Sequence, residues 1–241
     1  MPMKTLVVIP TYNEAANIVS LISEIRGARP GLHVLVVDDN SPDGTAGLVE
    51  KLGESHPGEV HCLKRPGKQG LGRAYVAGFG WGLDRGYEVV VEMDADFSHR
   101  PVDLVKVLEA ANSHDFVVGS RWIKGGSTLN WSIWRKLISI GGSFYSRLIL
   151  GYPLRDWTGG FNAWRAVVLQ GIGLDEVKSE GYSFQIELKF RACSCGFKGT
   201  EVPIIFDERR EGQSKMSSRI VLEALYRVWL IRFKPLAQKA G

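Results

Sequence analysis

With 241 residues, of which 44% are hydrophobic and 23% charged, the chain has the composition of a globular protein and material for one large α/β domain or two small ones. The formal net charge of +4 is too small to indicate a nucleic-acid-binding domain, which would show a basic face and a recognisable reading motif. The three cysteines, Cys62, Cys193 and Cys195, have no zinc-site spacing and are poorly placed for a structural disulfide, so we expect a reducing compartment.

No segment has the pattern of a signal peptide or of a membrane span. The N-terminus lacks an extended apolar region followed by a cleavage site. The most apolar later stretch, 137–154, is interrupted by Gly141, Gly142, Arg147 and Pro153, and so falls short of the roughly 20 apolar residues that cross a bilayer. We therefore expect a protein that is soluble or lies on a membrane surface.

The first half alternates apolar runs of strand length with segments of helical period. Strands are predicted at 5–9, 34–37, 60–63, 87–93 and 116–118, and helices at 14–26, 44–52, 71–85 and 101–111. This alternation is typical of a parallel sheet built from βαβ units. Residues 1–120 are therefore predicted to form a Rossmann-like, nucleotide-binding half.

The pattern changes after Gly119 to longer helical segments rich in aromatic residues. Helices are predicted at 131–150, 163–170 and 184–195, with one strand at 202–206. A last amphipathic helix is predicted at 217–233, and its basic and apolar faces suit either a membrane surface or packing on the domain. Residues 121–241 are predicted to form a second half, which binds a second substrate that acts as the acceptor.

Two carboxylates, Asp94 and Asp96, directly follow the predicted strand 87–93. Ligands of open α/β sheets bind at the carboxyl ends of the strands, so this pair is placed for chemistry. Hard oxygen ligands suit Mg²⁺ or Mn²⁺. The alternative is a loop pair that caps the helix starting near Pro101.

Polar and aromatic side chains follow three other predicted strands. Tyr12 offers a face on which a nucleobase could stack, and Asn13 is predicted to be the N-cap of the helix that begins at Glu14. Asp39 could accept hydrogen bonds from a base or a ribose. Arg121 follows the strand 116–118, where a guanidinium can bind phosphate oxygens through two parallel hydrogen bonds.

The glycine-rich segment 67–73 resembles a phosphate-binding loop only superficially. It lacks the Gly-Lys-Ser/Thr ending of a P-loop and the spacing of a dinucleotide fingerprint. We interpret it mainly as the entry to the helix 71–85.

The segment 119–154 contains five basic residues and no acidic one, with aromatic residues between them. The basic residues are Arg121, Lys124, Arg135, Lys136 and Arg147. This combination suits an anionic partner at an interface. The alternative is an ordinary amphipathic helix with a solvated basic face.

Five motifs occur in order and carry a resemblance to a known family. They are Pro10-x-Tyr12-Asn13-Glu14, Asp38-Asp39-x-Ser41-x-Asp43-Gly44-Thr45, Asp94-Ala95-Asp96, Gly119-Ser120-Arg121 and Arg209-x-x-Gly212-x-Ser214-Lys215. The set resembles the inverting family 2 glycosyltransferases, whose GT-A fold is a single α/β domain. Asn130-Trp131-Ser132, Asp156-x-Thr158-x-Gly160-Phe161 and Phe184-Gln185-Ile186-Glu187 extend the similarity to the polyprenol- or dolichol-phosphate mannose synthases.

The resemblance implies transfer of mannose from GDP-mannose to a polyprenyl or dolichyl monophosphate, with Mg²⁺ or Mn²⁺ at Asp94 and Asp96. It implies donor-binding roles for Pro10, Tyr12, Glu14, Val37, Asp39, Asp94, Ala95, Asp96, Arg209 and Lys215. It implies acceptor-binding roles for Arg121, Arg135 and Ser139. The implied catalytic set is Asp94, Asp96, Arg121, Arg209 and Lys215. Some relatives have Gln at the position of Ser98, so the resemblance implies no metal-binding role for Ser98.

The resemblance also implies a peripheral location on the cytoplasmic face of a membrane and a separate membrane-anchored partner. Three alternatives stay open. One is a lipid-phosphate glucosyltransferase that uses UDP-glucose. Another is a hydroxyl-directed family 2 enzyme, for which Asp156 and Glu187 are the candidate catalytic acids. The third is a non-catalytic nucleotide-sugar-binding subunit.

Overall fold

A seven-stranded, mostly parallel sheet forms the centre of the computed structural model, which describes residues 3–208 and 218–233, with backbone only for 218–224. In chain order its strands are β1 (Thr5–Thr11), β2 (His33–Asp38), β3 (Val60–Lys64), β4 (Val89–Glu92), β5 (Phe116–Ser120), β7 (Asn162–Arg165) and β8 (Gly199–Pro203). The order across the sheet is β3-β2-β1-β4-β7-β5-β8, and only β7 runs antiparallel to its neighbours. The short strands β6 (Ser127–Thr128) and β9 (Ile205–Phe206) pair with each other.

Helices cover both faces of the sheet, as the buried and nearly continuous apolar strands require. The helices are α1 (Ile18–Ala28), α2 (Thr45–Ser55), α3 (Leu71–Leu83), α4 (Leu104–Ala111), α5 (Ile133–Leu150), α6 (Ala166–Gly171), α7 (Tyr182–Ser194) and α8 (Ser218–Phe233). One core joins the sheet to α1, α2 and α4, and the other joins it to α3, α6, α7 and α8. The predicted single α/β domain is confirmed.

The parallel register brings the carboxyl ends of several strands to one edge of the sheet. Pro10 of β1 lies opposite Val37 of β2, and Val8 lies opposite Glu92 of β4. Helix α3 packs closely on this part of the sheet, because Gly78 has no side chain where a Cβ would lie 2.4 Å from Val8 Cγ1. The segments that follow β1, β2 and β4 therefore meet beside the N-terminus of α3.

The first helix begins later than predicted. Residues 14–17 form a turn in which the Asn17 N–H donates to the Glu14 carbonyl oxygen at 3.0 Å, and α1 starts at Ile18. The predicted N-cap role of Asn13 is therefore wrong. Asn13 adopts a left-handed backbone conformation with φ of +64°, and its N–H donates to Ser41 Oγ at 3.0 Å.

The helix predicted at 163–170 is wrong over its first residues, which form β7. This four-residue strand lacks the apolar run of its neighbours, and pairing with β4 and β5 fixes its conformation. The strand predicted at 202–206 is divided into β8 and β9 at Ile204. The helix predicted at 217–233 corresponds to α8. None of the helices in the described residues is both long enough and apolar enough to span a membrane.

Candidate active site

A cleft of about 240 Å³ opens at the carboxyl ends of β1, β2 and β4. Seven of the residues predicted to bind a donor line it: Pro10, Tyr12, Glu14, Asp39, Asp94, Ala95 and Asp96. Val37 does not line the cleft, because its side chain is fully buried in the core between the sheet and α3. The other described residues of its wall are Thr11, Lys68, Gly70, Leu71 and Ala74, so the glycine-rich segment does more than lead into a helix.

The carboxylate of Asp39 is held by groups from the loop after β3. Arg65 Nη1 donates to Asp39 Oδ1 at 2.6 Å, and Arg65 Nη2 donates to Gln69 Oε1 at 2.9 Å. Burial raises the pKa of Asp39, while the positive charge of Arg65 acts in the opposite direction. This pair fixes a hydrogen-bond acceptor at one end of the cleft.

Tyr12 and Lys68 form the exposed side of the cleft. The Lys68 ammonium lies 4.2 Å from the centroid of the Tyr12 ring, within the range of a cation–π contact. The pair presents an aromatic ring and a positive charge to any ligand that enters. Neither Lys68 nor Arg65 belongs to a motif, although the position of Lys68 in a glycine-rich segment was a usable signal.

The segment from Asp94 to His99 folds into a tight turn. The Asp94 N–H donates to His99 Nδ1 at 3.1 Å, and the Ser98 N–H donates to Asp96 Oδ1 at 3.1 Å. Tyr75 Oη donates to Asp94 Oδ1 at 3.1 Å and orients that carboxylate. Phe97 adopts a left-handed backbone conformation with φ of +61°. Such strained conformations are often found at functional sites.

His99 supports this turn from the interior. The imidazole is buried and stacks on Phe161 at a centroid distance of 5.0 Å. Burial lowers the pKa of His99, although Asp94 and Asp96 act in the opposite direction. A neutral imidazole whose Nδ1 accepts from Asp94 matches this environment, and the sequence motifs gave no sign of the role.

The donor atoms of the turn fit a hard divalent cation. Carboxylate oxygens of Asp94 and Asp96 lie in the cleft, and Mg²⁺ is commonly bound by one or two carboxylates together with substrate phosphates. Ser98 Oγ, in the same turn, is buried without a hydrogen-bond partner in the described part of the chain, but Ser98 does not line the cleft. No group of three or more His, Cys, Asp or Glu suited to a metal occurs among the described residues.

Arg121 lies in a buried ion pair with Asp156. Its Nε and Nη2 donate to Asp156 Oδ2 and Oδ1, both at 2.7 Å, and Nη2 also donates to Thr158 Oγ1 at 2.8 Å. Burial alone would raise the pKa of Asp156, but the Arg121 guanidinium lowers it below its ordinary value. Asp156 and Thr158 thus hold Arg121 in one orientation. The predicted contact with an acceptor would be made by guanidinium N–H groups that do not bind these two residues.

The other predicted acceptor-binding residues lie beside Arg121. Ser139 Oγ and Thr158 Oγ1 are 3.4 Å apart, and Thr158 also accepts from Arg121. The guanidinium carbon of Arg135 lies 4.0 Å from the centroid of the Trp131 ring, and that of Arg121 lies 5.5 Å from it. The structure therefore brings Arg121, Arg135 and Ser139 together.

The two groups of residues are connected through β9. The Asp207 N–H donates to the Ser98 carbonyl oxygen at 3.0 Å, and the Phe206 ring packs edge-on against His99 at 5.3 Å. The same Phe206 ring packs against Trp131 at 5.3 Å. Arg209 and Lys215, predicted to close over the donor, lie outside the described residues.

The two candidate catalytic acids of a hydroxyl-directed enzyme are both buried and held by arginines. Asp156 pairs with Arg121, and Glu187 Oε1 accepts from Arg191 Nε at 2.9 Å. Glu187 Oε2 also accepts from the Ser179 N–H at 3.2 Å. Neither carboxylate is placed as an accessible base.

Comparison with known proteins identifies the class. The model of the family "Glycosyl transferase family 2" matches residues 6–173, and the chain belongs to this family. The protein is thus a glycosyltransferase, and the family predicted from the motifs is confirmed.

Two relatives extend this result to nearly the whole chain. A polyprenol monophosphomannose synthase of Mycolicibacterium smegmatis is 48% identical over 233 residues, which cover 95% of this chain and 88% of the relative. An undecaprenyl-phosphate mannosyltransferase of Micrococcus luteus is 49% identical over 226 residues, which cover 94% of this chain and 93% of the relative. The similarity to polyprenol-phosphate mannose synthases is also confirmed.

Solved structures of lower identity share the fold. Glucosyl-3-phosphoglycerate synthase from Mycobacterium tuberculosis, in complex with Mn²⁺, UDP and glucosyl-3-phosphoglycerate, matches with a TM-score of 0.71 at 16% identity, over 97% of this chain and 81% of that one. A mannosyltransferase from Pyrobaculum calidifontis, in complex with GDP-mannose and Mn²⁺, matches with a TM-score of 0.62 at 19% identity, over 98% of this chain and 66% of that one.

Proposed function

We propose that the protein transfers mannose from GDP-mannose to a polyprenyl or dolichyl monophosphate, with inversion at the anomeric carbon. The observation that carries this proposal is that a two-carboxylate turn is linked through Phe206 to a cluster of two arginines. Two relatives that share about half of their residues with this chain are named for the transfer of mannose to polyprenyl phosphates. In this proposal residues 1–120 bind the donor and residues 121–241 bind the acceptor.

The cleft has the chemistry to bind a guanosine diphosphate. Guanine carries N–H donors on its base-pairing edge, and the carboxylate of Asp39, fixed by Arg65, is a matching acceptor. Tyr12 supplies a ring for stacking, and Lys68 supplies positive charge beside that ring. Arg209 and Lys215 are proposed to add further positive charge over the donor phosphates.

Asp94 and Asp96 would hold Mg²⁺ or Mn²⁺. When bound, the ion supplies positive charge that stabilises the diphosphate as it leaves. The protein's own contribution is to orient the two carboxylates, through Tyr75 and through the hydrogen bonds of the turn. A structural relative with the same fold was solved with Mn²⁺ and GDP-mannose.

The reaction would be a direct displacement. A phosphate oxygen of the acceptor forms a bond to the anomeric carbon while the bond from that carbon to the diphosphate breaks, and GDP leaves with the bonding electron pair. A phosphate monoester has a second pKa of about 6, so its oxygen is already an anionic nucleophile at neutral pH. The reaction then needs no protein base, which agrees with Asp156 and Glu187 being held by arginines.

The outer face of α5 supports binding to a membrane, where such a lipid acceptor resides. Ile133, Leu137, Ile140, Phe144 and Leu148 recur at helical spacing, and each is between 45% and 74% exposed. The buried residues of α5 are Ser139, Ser143, Ser146 and Leu150, so three of the four are small and polar.

Helix α8 enlarges the apolar surface of α5. Trp229, Leu230 and Phe233 are exposed, and Trp229 Nε1 donates to Tyr145 Oη of α5 at 2.9 Å. An apolar face beside basic residues is typical of helices that lie in a membrane interface. We propose that this surface holds the protein on the cytoplasmic face of the membrane, a compartment that suits three free cysteines.

Binding to vesicles tests the membrane proposal. Leu148→Ser should weaken co-sedimentation with anionic phospholipid vesicles several-fold, because the 72% exposed Leu148 would be buried in the interface. The matched control is Leu48→Ser, because Leu48 is exposed on α2, a helix that packs in the other hydrophobic core. This substitution should leave binding unchanged. Equal binding by all three proteins would contradict the proposal, and a separate membrane-anchored subunit would then account for attachment.

Competition between nucleotides tests the donor. GDP should compete with a fluorescent GDP analogue much more strongly than UDP, and GDP-mannose should support transfer where UDP-glucose does not. Preference for UDP would favour the lipid-phosphate glucosyltransferase. Tight binding of GDP-mannose without turnover on any polyprenyl phosphate would favour a non-catalytic binding subunit.

A further inference from the structure

Trp131 lies at the centre of the acceptor-side cluster. It directly precedes Ser132, the N-cap of α5, and only 9% of its surface is exposed. Its ring packs edge-on against Phe206 at 5.3 Å and against Trp122 at 6.4 Å. The guanidinium groups of Arg121 and Arg135 both lie against the same ring.

The indole N–H of Trp131 is buried and has no hydrogen-bond partner in the described part of the chain. The same is true of Trp122 Nε1, in the adjacent ring, and of Thr128 Oγ1, which lies opposite Phe206 in the β6–β9 pair. Buried donors are nearly always paired in native proteins, because leaving one unpaired is costly. Trp157 Nε1, in the core, is also without a partner among the described residues, so what points to a ligand at Trp131 is the pair of guanidinium groups that flank its ring.

The surroundings of Trp131 favour an anion. An indole N–H can only donate, so its missing partner must be an acceptor atom. The positive end of the dipole of the 18-residue helix α5 begins at the next residue, and two guanidinium groups flank the ring. Among the described residues, those that line the donor cleft belong to the segment 10–96, and Trp131 is not one of them.

We propose that the Trp131 indole N–H donates a hydrogen bond to the phosphate monoester of the acceptor, while the ring of Trp131 holds Arg121 and Arg135 side by side. Trp131 thus both binds the acceptor and positions the two arginines. This inference rests on the proposed function, because it takes the acceptor to be a phosphate monoester. It adds a residue to the acceptor site that the motif resemblance did not assign a role.

Indole resonances in NMR spectra report this hydrogen bond directly. The chain has seven tryptophans, so protein labelled with ¹⁵N-tryptophan gives a small set of indole signals. Geranyl monophosphate should move the Trp131 indole proton downfield and leave the signal of the distant Trp81 in place. Geraniol, which lacks the phosphate, should move neither signal. A Trp131 signal that stays in place with geranyl monophosphate, or that moves only with GDP and Mg²⁺, would overturn the proposal.

Substitution separates the N–H from the ring. Trp131→Phe keeps an aromatic face and removes the donor, and we expect it to raise the KM for geranyl monophosphate about tenfold, in line with the loss of a hydrogen bond to a charged group. The KM for GDP-mannose should stay near the wild-type value. Trp131→Leu removes both features and should have a larger effect. Trp81→Phe is the matched control and should change neither KM.

The outcomes distinguish this inference from the proposed function. If the wild-type protein does not transfer mannose to any polyprenyl phosphate, the proposed function fails. If the wild-type protein transfers mannose and Trp131→Phe has an unchanged KM for the acceptor, only the role of Trp131 fails. The NMR arm requires no variant to fold, so it decides the hydrogen bond by itself.

Discussion

Asp156→Asn should destabilise the protein strongly and loosen the acceptor site. The carboxylate of Asp156 is fully buried and accepts from Arg121 N, Nε and Nη2 and from the Gly159 N–H, at distances of 2.7–3.0 Å. Asparagine keeps the shape but loses the charge and one acceptor oxygen. Arg121, which is only 4% exposed, would then retain a buried charge without its counterion.

The size of the effect follows from this burial. Removing one partner of a buried ion pair costs about 3–5 kcal/mol. For a chain of this size about 1 kcal/mol corresponds to about 2–4 °C, so the Tm should fall by about 6–20 °C. Glu59→Gln is the matched control, because Glu59 pairs with Arg26 at 2.5 Å while their side chains are 44% and 27% exposed. That change should cost about 0–1 kcal/mol.

Thermal unfolding of both variants at pH 7 measures this difference, and transfer assays below the Tm measure the KM for the acceptor, which should rise for Asp156→Asn. Because Arg121 lowers the pKa of folded Asp156, the stabilisation is present above the ordinary carboxyl pKa of about 4 and is lost as the pH falls further. The gap between wild type and Asp156→Asn should therefore narrow in acid. A Tm for Asp156→Asn within about 2 °C of wild type would refute the reasoning.

Further substitutions test the donor side. Asp94→Asn and Asp96→Asn should each abolish transfer while circular dichroism shows a folded protein, and near-normal turnover would contradict their assignment. His99→Phe removes the group that accepts from the Asp94 N–H at 3.1 Å, and it should raise the Mg²⁺ concentration for half-maximal activity several-fold. His99→Asn keeps an acceptor and should bring this concentration part of the way back. Identical metal titrations for wild type and His99→Phe would count against the role of His99. Arg65→Gln removes the positive charge that lowers the pKa of Asp39, so this pKa should rise further and the carboxylate should be lost more readily at low pH. The affinity for GDP, measured by calorimetry, should therefore fall, and most at low pH. An affinity that equals wild type at every pH would exclude that link.

Much of the fold was predictable because its strongest determinants are local. The apolar runs that form β1, β2, β4 and β5 are nearly continuous, as is typical of buried parallel strands. Because these strands are parallel, their carboxyl ends lie at one edge of the sheet, where ligands bind. The convergence of Tyr12, Asp39 and Asp94 was predictable for the same reason. It required no knowledge of side-chain contacts.

The remaining features depend on contacts between distant residues. Strand β7 is short and mixed in composition, and only its pairing with β4 and β5 makes it a strand. The partner of Arg121 is Asp156, 35 residues away, so the ion pair has no local signature. The support that His99 gives to Asp94 depends on the exact path of a turn with a left-handed Phe97.

Helix α5 was predicted as a helix, but its spacing did not show which side of it is buried. Its apolar residues have helical spacing, which ordinarily predicts a buried stripe, yet Phe144 and Leu148 face away from the core while Ser143 and Ser146 are buried. The sequence period gives the helix but not the side on which the protein lies.

The central claim is metal-dependent transfer of mannose to a lipid phosphate, and one measurement tests it most directly. Purified protein would be incubated with radiolabelled GDP-mannose and a short-chain polyprenyl monophosphate, with Mg²⁺ and with a chelator in parallel, and the lipid fraction would be analysed. We predict a mannosylated polyprenyl phosphate that forms with Mg²⁺ and not with the chelator. Absence of this product from protein shown to bind both substrates, or its undiminished formation in the chelator, would contradict the account.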